Sequence, residues 1–337
     1  MDKYLLSATV SAPYLRTLIA GARDAGVPLD DLVTPELEHA IADPDGRIDR
    51  ETHNRLWDEV ARRSGDEAFG IHLAERIRPG AFAVMDYAAR NAPTLRQAVV
   101  RFVRYCRLVH DGARVLLEEQ ENEARLSYTL PDFPGGSPRH AAEFIVGAWV
   151  IAARQMTETD LTPLQICFEH PRPASASELR RVLRGELSFQ QPQNAIVIEA
   201  RLLGLPVTHA DPQLGALLDR YAEQLLARLP RREAFDEQLC RVVCEALHGG
   251  DPTLGAVASR MRMSGRTLQR RLGERGTTYQ ELLDRMRHDM AVRYLDEPGV
   301  AIGEAAFLLG FSDPSAFHRA FKRWTGTTPG AYRQARR

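Results

Sequence analysis

Two short segments near the C-terminus carry side chains of the kinds that read base edges and grip phosphates. The first is Ser264-Gly-Arg-Thr-Leu-Gln-Arg-Arg-Leu272, and the second runs from Gly310 to Gly326. Each contains two large apolar residues four apart, Leu268 with Leu272 and Phe317 with Phe321. Such a pair anchors a helix to a core and turns the positions around it outward. The outward positions are Ser264, Arg266, Gln269 and Arg270 in one helix and Ser315, His318, Arg319 and Lys322 in the other. Arg matches the two acceptors of guanine, Gln matches the donor and acceptor of adenine, and Ser and His adapt to several edges. Arg266, Gln269 and Arg270, with Ser315, His318 and Arg319, are therefore the candidates for base contacts. Ser264, Arg271, Lys322 and Arg323 are the candidates for phosphate contacts.

Each reading segment follows a short helix with small residues at its centre, Thr253–Met261 around Ala258 and Ala301–Leu309 around Ala305 and Ala306. A small residue there lets two helices cross closely, and a tight connection follows, Arg262-Met263 or Gly310-Phe311. The two units read as a degenerate repeat. Ala258 and Ser264 match Ala306 and Ser312, Leu268 and Leu272 match Phe317 and Phe321, and Gly276-Thr-Thr matches Gly326-Thr-Thr. Between them, Leu282, Met286, Met290, Ala291 and Leu295 recur at helical period. A connector of about 18 residues spans about 27 Å. Successive major grooves on one face of DNA lie roughly 34 Å apart, so a rigid connector could present both helices to one duplex.

Residues 231–337 resemble the DNA-binding domain of the arabinose-regulator (AraC/XylS) family of bacterial transcription factors. The match rests on the first reading motif, the connector and the closing run from Gly310-Phe-Ser-Asp through Ala-Phe-Lys-Arg-Trp-Thr-Gly326 to Thr-Pro-Gly-Ala-Tyr-Arg333. The resemblance implies seven helices, two reading helices, DNA bending, and a first reading helix that dominates base readout. One departure is Pro314, which offers a base only an apolar contact. With Asp313 as N-cap it suits the first helical position.

Charge divides the chain in the same place. From Arg231 onward there are 18 Arg and Lys against 13 Asp and Glu, a surplus of +5, while the remainder holds 26 against 32, or −6. The C-terminal part is thus the anion-binding part. Four cysteines (Cys106, Cys167, Cys240, Cys244) sit in apolar surroundings with no paired framework, as in a reducing cytoplasm. No signal-peptide core or membrane-length apolar run is seen, so a soluble cytoplasmic protein without a membrane partner is expected. Cys240, Cys244 and His248 share one helical face, but three ligands on one helix cannot surround an ion, and a core role is expected instead of a metal site. His110 ends a helix just before a hairpin, where it is expected to cap rather than to bind haem. No Ser/His/Asp set, phosphate loop or carboxylate pair stands out, so neither an enzyme nor a cofactor is expected.

Residues 1–230 read as an α+β unit, helices first and a small antiparallel sheet later, joined to the all-α 231–337. Helices are expected over 11–25, 50–64, 67–77, Phe82–Asn91, Thr94–His110, Arg139–Thr157, Ser177–Arg184 and Asp211–Ala227. Strands are expected at 114–118, 124–130, 164–169 and 195–199, with a loop at Pro131–Pro138 and a boundary at Leu229–Glu233. This order resembles the N-terminal domain of ornithine-utilisation-regulator-like members of the family, on Leu56-Trp57, Phe69-Gly70, Pro79-Gly80-Ala-Phe82, Thr94-Leu-Arg-Gln-Ala98 and the Leu187–Pro206 region. That domain is called arabinose-binding by analogy, a name that does not make the ligand arabinose. Trp57, Phe82, Tyr87, Phe144 and Trp149 could line an effector pocket or simply form core. The expected function is a sequence-specific regulator, a ligand-responsive activator acting on promoter DNA with RNA polymerase, and a homodimer. The alternative is a ligand-independent regulator whose N-terminal half is a dimerisation or polymerase-contact scaffold.

Overall fold

Caps and apolar periodicity account for most helices of the first unit. The computed structural model describes residues 8–130, 137–229, 234–248, 251–296, 300–311 and 313–335, and these fall into two compact units, 8–130 with 137–229, and 234–335. In the first unit the order is β1 (Thr9–Ser11), a 3-10 turn at Ala12–Tyr14, α1 (Leu15–Asp24), α2 (Pro35–Ala42), β2 (Arg47–Asp49), α3 (Arg50–Ser64), α4 (Phe69–Glu75), α5 (Ala83–Arg90) and α6 (Leu95–Val109). Then come β3 (Arg114–Glu119), β4 (Glu123–Thr129), α7 (Arg139–Thr157), β5 (Gln165–Cys167), α8 (Ala176–Leu183), β6 (Glu186–Ser188), β7 (Asn194–Glu199), a 3-10 turn at Ala200–Gly204 and α9 (Pro212–Arg228). Thr34, Asp49, Thr94 and Asp211 each accept a first-turn N–H and so start α2, α3, α6 and α9.

The sheet runs β3-β4-β7-β5-β6. Its pairs are antiparallel except β5 with β6, which is parallel. β6 and the small β1–β2 ribbon are additions to the expected strands. At three residues each, these strands are too short to show an alternation. The ribbon is held from a distance, since Asp111 accepts hydrogen bonds from Thr9 N at 2.8 Å and Thr9 Oγ1 at 2.6 Å. The apolar α7 is buried along most of its length, between α4 and the sheet. Two glycines set its crossing with α4. A Cβ on Gly70 would lie 2.2 Å from His140 O, and one on Gly147 would lie 2.6 Å from Ile71 Cδ1. The unit is therefore α+β, as its sequence reads.

The second unit holds seven helices among the described residues: α10 (Ala234–His248), α11 (Leu254–Arg260), α12 (Gly265–Gly273), α13 (Tyr279–Asp296), α14 (Ile302–Leu308), α15 (Pro314–Thr325) and α16 (Pro329–Ala335). One core joins them, with Leu268, Leu272, Phe317 and Phe321 all fully buried beside Met286, Met290 and Leu295. Most of the expected Pro131–Pro138 loop and 229–233 boundary lies outside the described residues. No helix of the described residues is long and apolar enough to cross a membrane.

Candidate nucleic-acid interface

The two helix-turn-helix units close with the same hydrogen bonds. In the first, Arg262 N donates to Ser259 O at 2.9 Å and Met263 N to Ala258 O at 3.0 Å. In the second, Gly310 N donates to Phe307 O at 2.9 Å and Phe311 N to Ala306 O at 3.0 Å. Every partner is displaced by 48 positions. The turn residue is left-handed in both, φ +53° at Arg262 and +69° at Gly310. Only the second unit uses the residue that takes this conformation freely. The small residues at the crossing, Ala258 and Ala306, are buried as their size requires.

The reading helices start differently. Ser264 Oγ accepts from Thr267 N at 3.1 Å and caps α12. Asp313 caps α15, accepting from Ser315 N at 2.8 Å and Ala316 N at 3.1 Å, with Pro314 in the first turn. These N–H groups hold the Asp313 carboxyl below its ordinary range. The structural counterpart of Ser264 is thus Asp313. The one-residue insertion falls at Ser312, which lies outside the described residues. Each reading helix is followed by a left-handed glycine, Gly276 or Gly326. α13 then opens with a capping box, in which Glu281 N donates to Thr278 Oγ1 at 3.2 Å and Thr278 N to Glu281 Oε2 at 2.8 Å.

Of the candidate contact residues, Ser264, Arg266, Gln269, Arg270, Ser315, His318, Arg319, Lys322 and Arg323 are exposed. Arg271 is half-buried, its guanidinium 4.8 Å over the Phe235 ring, so it also fastens α12 to α10. Arg270 pairs with Glu274 on its own helix. Arg319 lies 3.9 Å from Asp313, and Arg323 donates to Asp284 of α13 at 2.9 Å. The side chains of Arg266 and Gln269 take part in no hydrogen bond or ion pair among the described residues.

Sequence reasoning missed the residues that hold these helices in place. Arg275 donates to Asp236 at 2.6 Å in a pair almost closed to solvent, and stacks 4.7 Å over Phe235. Arg287, on the connector, donates to Leu309 O at 3.0 Å and Gly310 O at 3.1 Å and stacks 4.5 Å over Phe311. It thereby closes the C-terminus of α14 and fixes the second turn to α13. In the first unit Tyr279 ties down the opposite end, donating to Pro252 O just before the N-cap of α11 at 2.8 Å, and burial pushes its hydroxyl up to about 12. A signal existed for Arg287: it falls four residues after Leu283 and three before Met290, on a face that is otherwise apolar.

In the first unit the five aromatic candidates separate. Trp57 and Phe144 are fully buried core. Phe82 and Trp149 line a cavity between the helices and the sheet. Tyr87 is 46% exposed and lies outside that cavity, because its ring covers the backbone of Gly80 from the solvent side. His110 caps α6, and its Nδ1 accepts from Gly112 N at 3.2 Å. Cys240 and Cys244 are buried in the helical unit, while the side chain of His248 lies outside the described residues.

Comparison with known proteins agrees with this geometry. Residues 33–207 match the arabinose-binding domain of AraC transcription regulator, N-terminal, and residues 257–335 match a helix-turn-helix domain. The Ornithine utilization regulator of Pseudomonas aeruginosa is 30% identical over 90% of this chain and 88% of its own. The HTH-type transcriptional regulator VirS of Mycobacterium tuberculosis is 30% identical over 79% of this chain and 78% of its own. Among solved structures, the transcriptional regulator CdpR from Pseudomonas aeruginosa aligns over 96% of this chain and 98% of its own, at 21% identity and a TM-score of 0.49. With both of its parts matched and two regulators at this identity over most of their length, the chain belongs to the AraC family of DNA-binding transcription regulators.

Proposed function

We propose that this regulator is a ligand-responsive activator whose C-terminal domain, 231–337, lays α12 and α15 into successive major-groove segments of promoter DNA. The observation that carries this is the repeated turn, which presents two reading helices from a single core. Arg266, Gln269 and Arg270 read bases, with Ser264 and Arg271 nearer phosphate. Ser315, His318 and Arg319 face bases in the second segment, and Lys322 and Arg323 face the backbone. The N-terminal domain, 1–230, binds a small molecule, which shifts the DNA-competent population by its differential affinity for the two states. The protein works in the cytoplasm with RNA polymerase, as a homodimer. An exposed stripe on α9, Leu214, Leu217 and Tyr221 at i, i+3 and i+7, supports contact with a second copy.

The test is binding of the full chain to its own upstream DNA across a salt series, with and without metabolite extract. A ligand-responsive regulator binds specifically, with an affinity that the extract changes. Specific binding indifferent to extract would leave the scaffold reading in its place. Sedimentation of Leu217→Arg checks the homodimer: the variant should sediment as a monomer at concentrations where the wild type is dimeric.

A further inference from the structure

The cavity of the N-terminal unit has a chemistry of its own. It lies between α5, α6 and α7 and the β3-β4-β7 face of the sheet, and Leu95, Phe102, Leu126, Met156 and Ile198 are typical of its walls. Its empty space is about 780 Å³ with its opening to solvent included. A second lobe adjoins it, sharing Phe82, Phe102 and Trp149 and adding Tyr14, His53 and Tyr128. Phe102 meets Trp149 edge-on at 5.3 Å and forms the seam between the lobes.

Among the described residues, no Arg or Lys lines either lobe. The one carboxylate, Asp86, is committed, accepting from Gly80 N at 2.5 Å and Arg90 Nε at 2.9 Å. Burial pushes His53 down to about 4, so its ring is neutral at ordinary pH. His110 and Tyr128 also line the second lobe, and each has a partner. Tyr14 Oη and Trp149 Nε1 are buried and have no hydrogen-bond partner among the described residues. Both residues are more than nine-tenths buried and line the second lobe. A buried donor left without an acceptor is costly, and an incoming oxygen relieves that cost.

We propose that the effector is an uncharged, mainly apolar small molecule with one hydrogen-bond-accepting oxygen, such as a ketone, ester or lactone, lying along the Phe102–Trp149 seam with that oxygen on Trp149 Nε1 or Tyr14 Oη. This rests on the reading of residues 1–230 as a ligand-binding domain and narrows it. A pentose would bury several hydroxyls against hydrocarbon walls. An amino acid such as ornithine, the metabolite in one relative's name, would bury ionised groups with only the already paired Asp86 to oppose them.

The test uses the full chain and calorimetric titration, with 2-nonanone as probe and nonane, nonanoate at pH 8, L-ornithine and L-arabinose as comparisons. The expected result is saturable binding of 2-nonanone, with nonanoate weaker by roughly tenfold or more and no heat from ornithine or arabinose at millimolar concentration. Trp149→Phe and Tyr14→Phe keep the rings and remove the donors. At least one should weaken 2-nonanone roughly fivefold to tenfold while leaving nonane unchanged, and the unchanged nonane affinity also shows that the fold is intact. Ala153→Phe, which fills the larger lobe, should abolish binding while operator binding persists. The proposal is overturned if ornithine or arabinose saturates the protein and 2-nonanone does not, or if both donor variants bind 2-nonanone as the wild type does. If none of the probes binds but metabolite extract still changes operator affinity, this ligand class is wrong and the ligand-responsive reading survives. If extract has no effect either, both fall.

Discussion

The two helix-turn-helix units share a turn, a core and a connector, yet they present different electrostatics to a nucleic acid. α12 begins at a neutral serine, and Arg266 and Gln269 stand clear of it with no ion-pair partner among the described residues. α15 begins at a carboxylate, Asp313, which lies 3.9 Å from Arg319, and Arg323 is already hydrogen-bonded to Asp284. A helix N-terminus attracts phosphate through its unpaired N–H groups. Asp313 occupies two of those groups and adds a negative charge. The comparison teaches that a repeat can conserve its packing while dividing its labour. This supports the proposed reading in which the first helix discriminates bases and the second holds position.

The largest expected effect concerns how each unit is fastened. Arg275 and Asp236 form a buried pair behind the first helix, whereas Arg323 and Asp284 form an exposed one behind the second. Arg275→Met should cost about 3–5 kcal/mol of the C-terminal unit's stability, and Arg323→Ala under about 1 kcal/mol. Urea unfolding measures both, and equal losses would break the contrast.

A buried carboxyl whose oxygens accept no hydrogen bond among the described residues gives the opposite behaviour, and the N-terminal unit supplies one. Glu143 on α7 is fully buried, with Arg139 and His170 3.7 Å away and His140 at 3.6 Å. Burial pushes its carboxyl from an ordinary 4.5 up to about 8. Below pH 4.5 both folded and unfolded chains hold the proton. Between 4.5 and 8 only the folded chain holds it, so stability falls as pH rises through that window and levels off above it. Glu143→Gln should flatten the fall, gaining roughly 2–4 kcal/mol at pH 8 and nothing near pH 4.5. Thermal melts across that range would show it, and parallel curves for variant and wild type would refute it.

On DNA, Arg266→Ala should lose about 1–3 kcal/mol and relax preference at one base position, while Arg319→Ala should lose less and relax preference less. Competition binding with single-base operator variants reads both, and the reverse order would make α15 the discriminating helix. Arg262→Gly relieves a left-handed arginine and should stabilise the domain by about 1 kcal/mol, with Gly310→Ala costing a similar amount. Asp313→Asn keeps the cap and removes the charge. It should strengthen DNA binding by about 0.5 kcal/mol at low salt, an increment that vanishes as salt rises.

Much of this was legible in the chain. The boundaries of α7, 139–157, follow from its apolar run. The caps Thr94 and Asp313, the buried pairs Leu268–Leu272 and Phe317–Phe321 and the exposed Arg266 and Gln269 follow from helical spacing, because a period records which face of an element is hidden. The repeat was visible for the same reason, since its spacing of 48 to 50 positions reflects one turn geometry used twice. What lies across a hidden face is a different matter. That Arg287 closes the second turn, that Arg271 rests on Phe235, that Tyr87 faces solvent while Trp149 faces a cavity, and that β5 meets β6 in parallel all depend on contacts between segments distant in sequence. The chemistry of the cavity belongs with these. Its walls come from three helices and three strands, and whether Trp149 Nε1 or Tyr14 Oη finds a partner is decided only when those elements have packed.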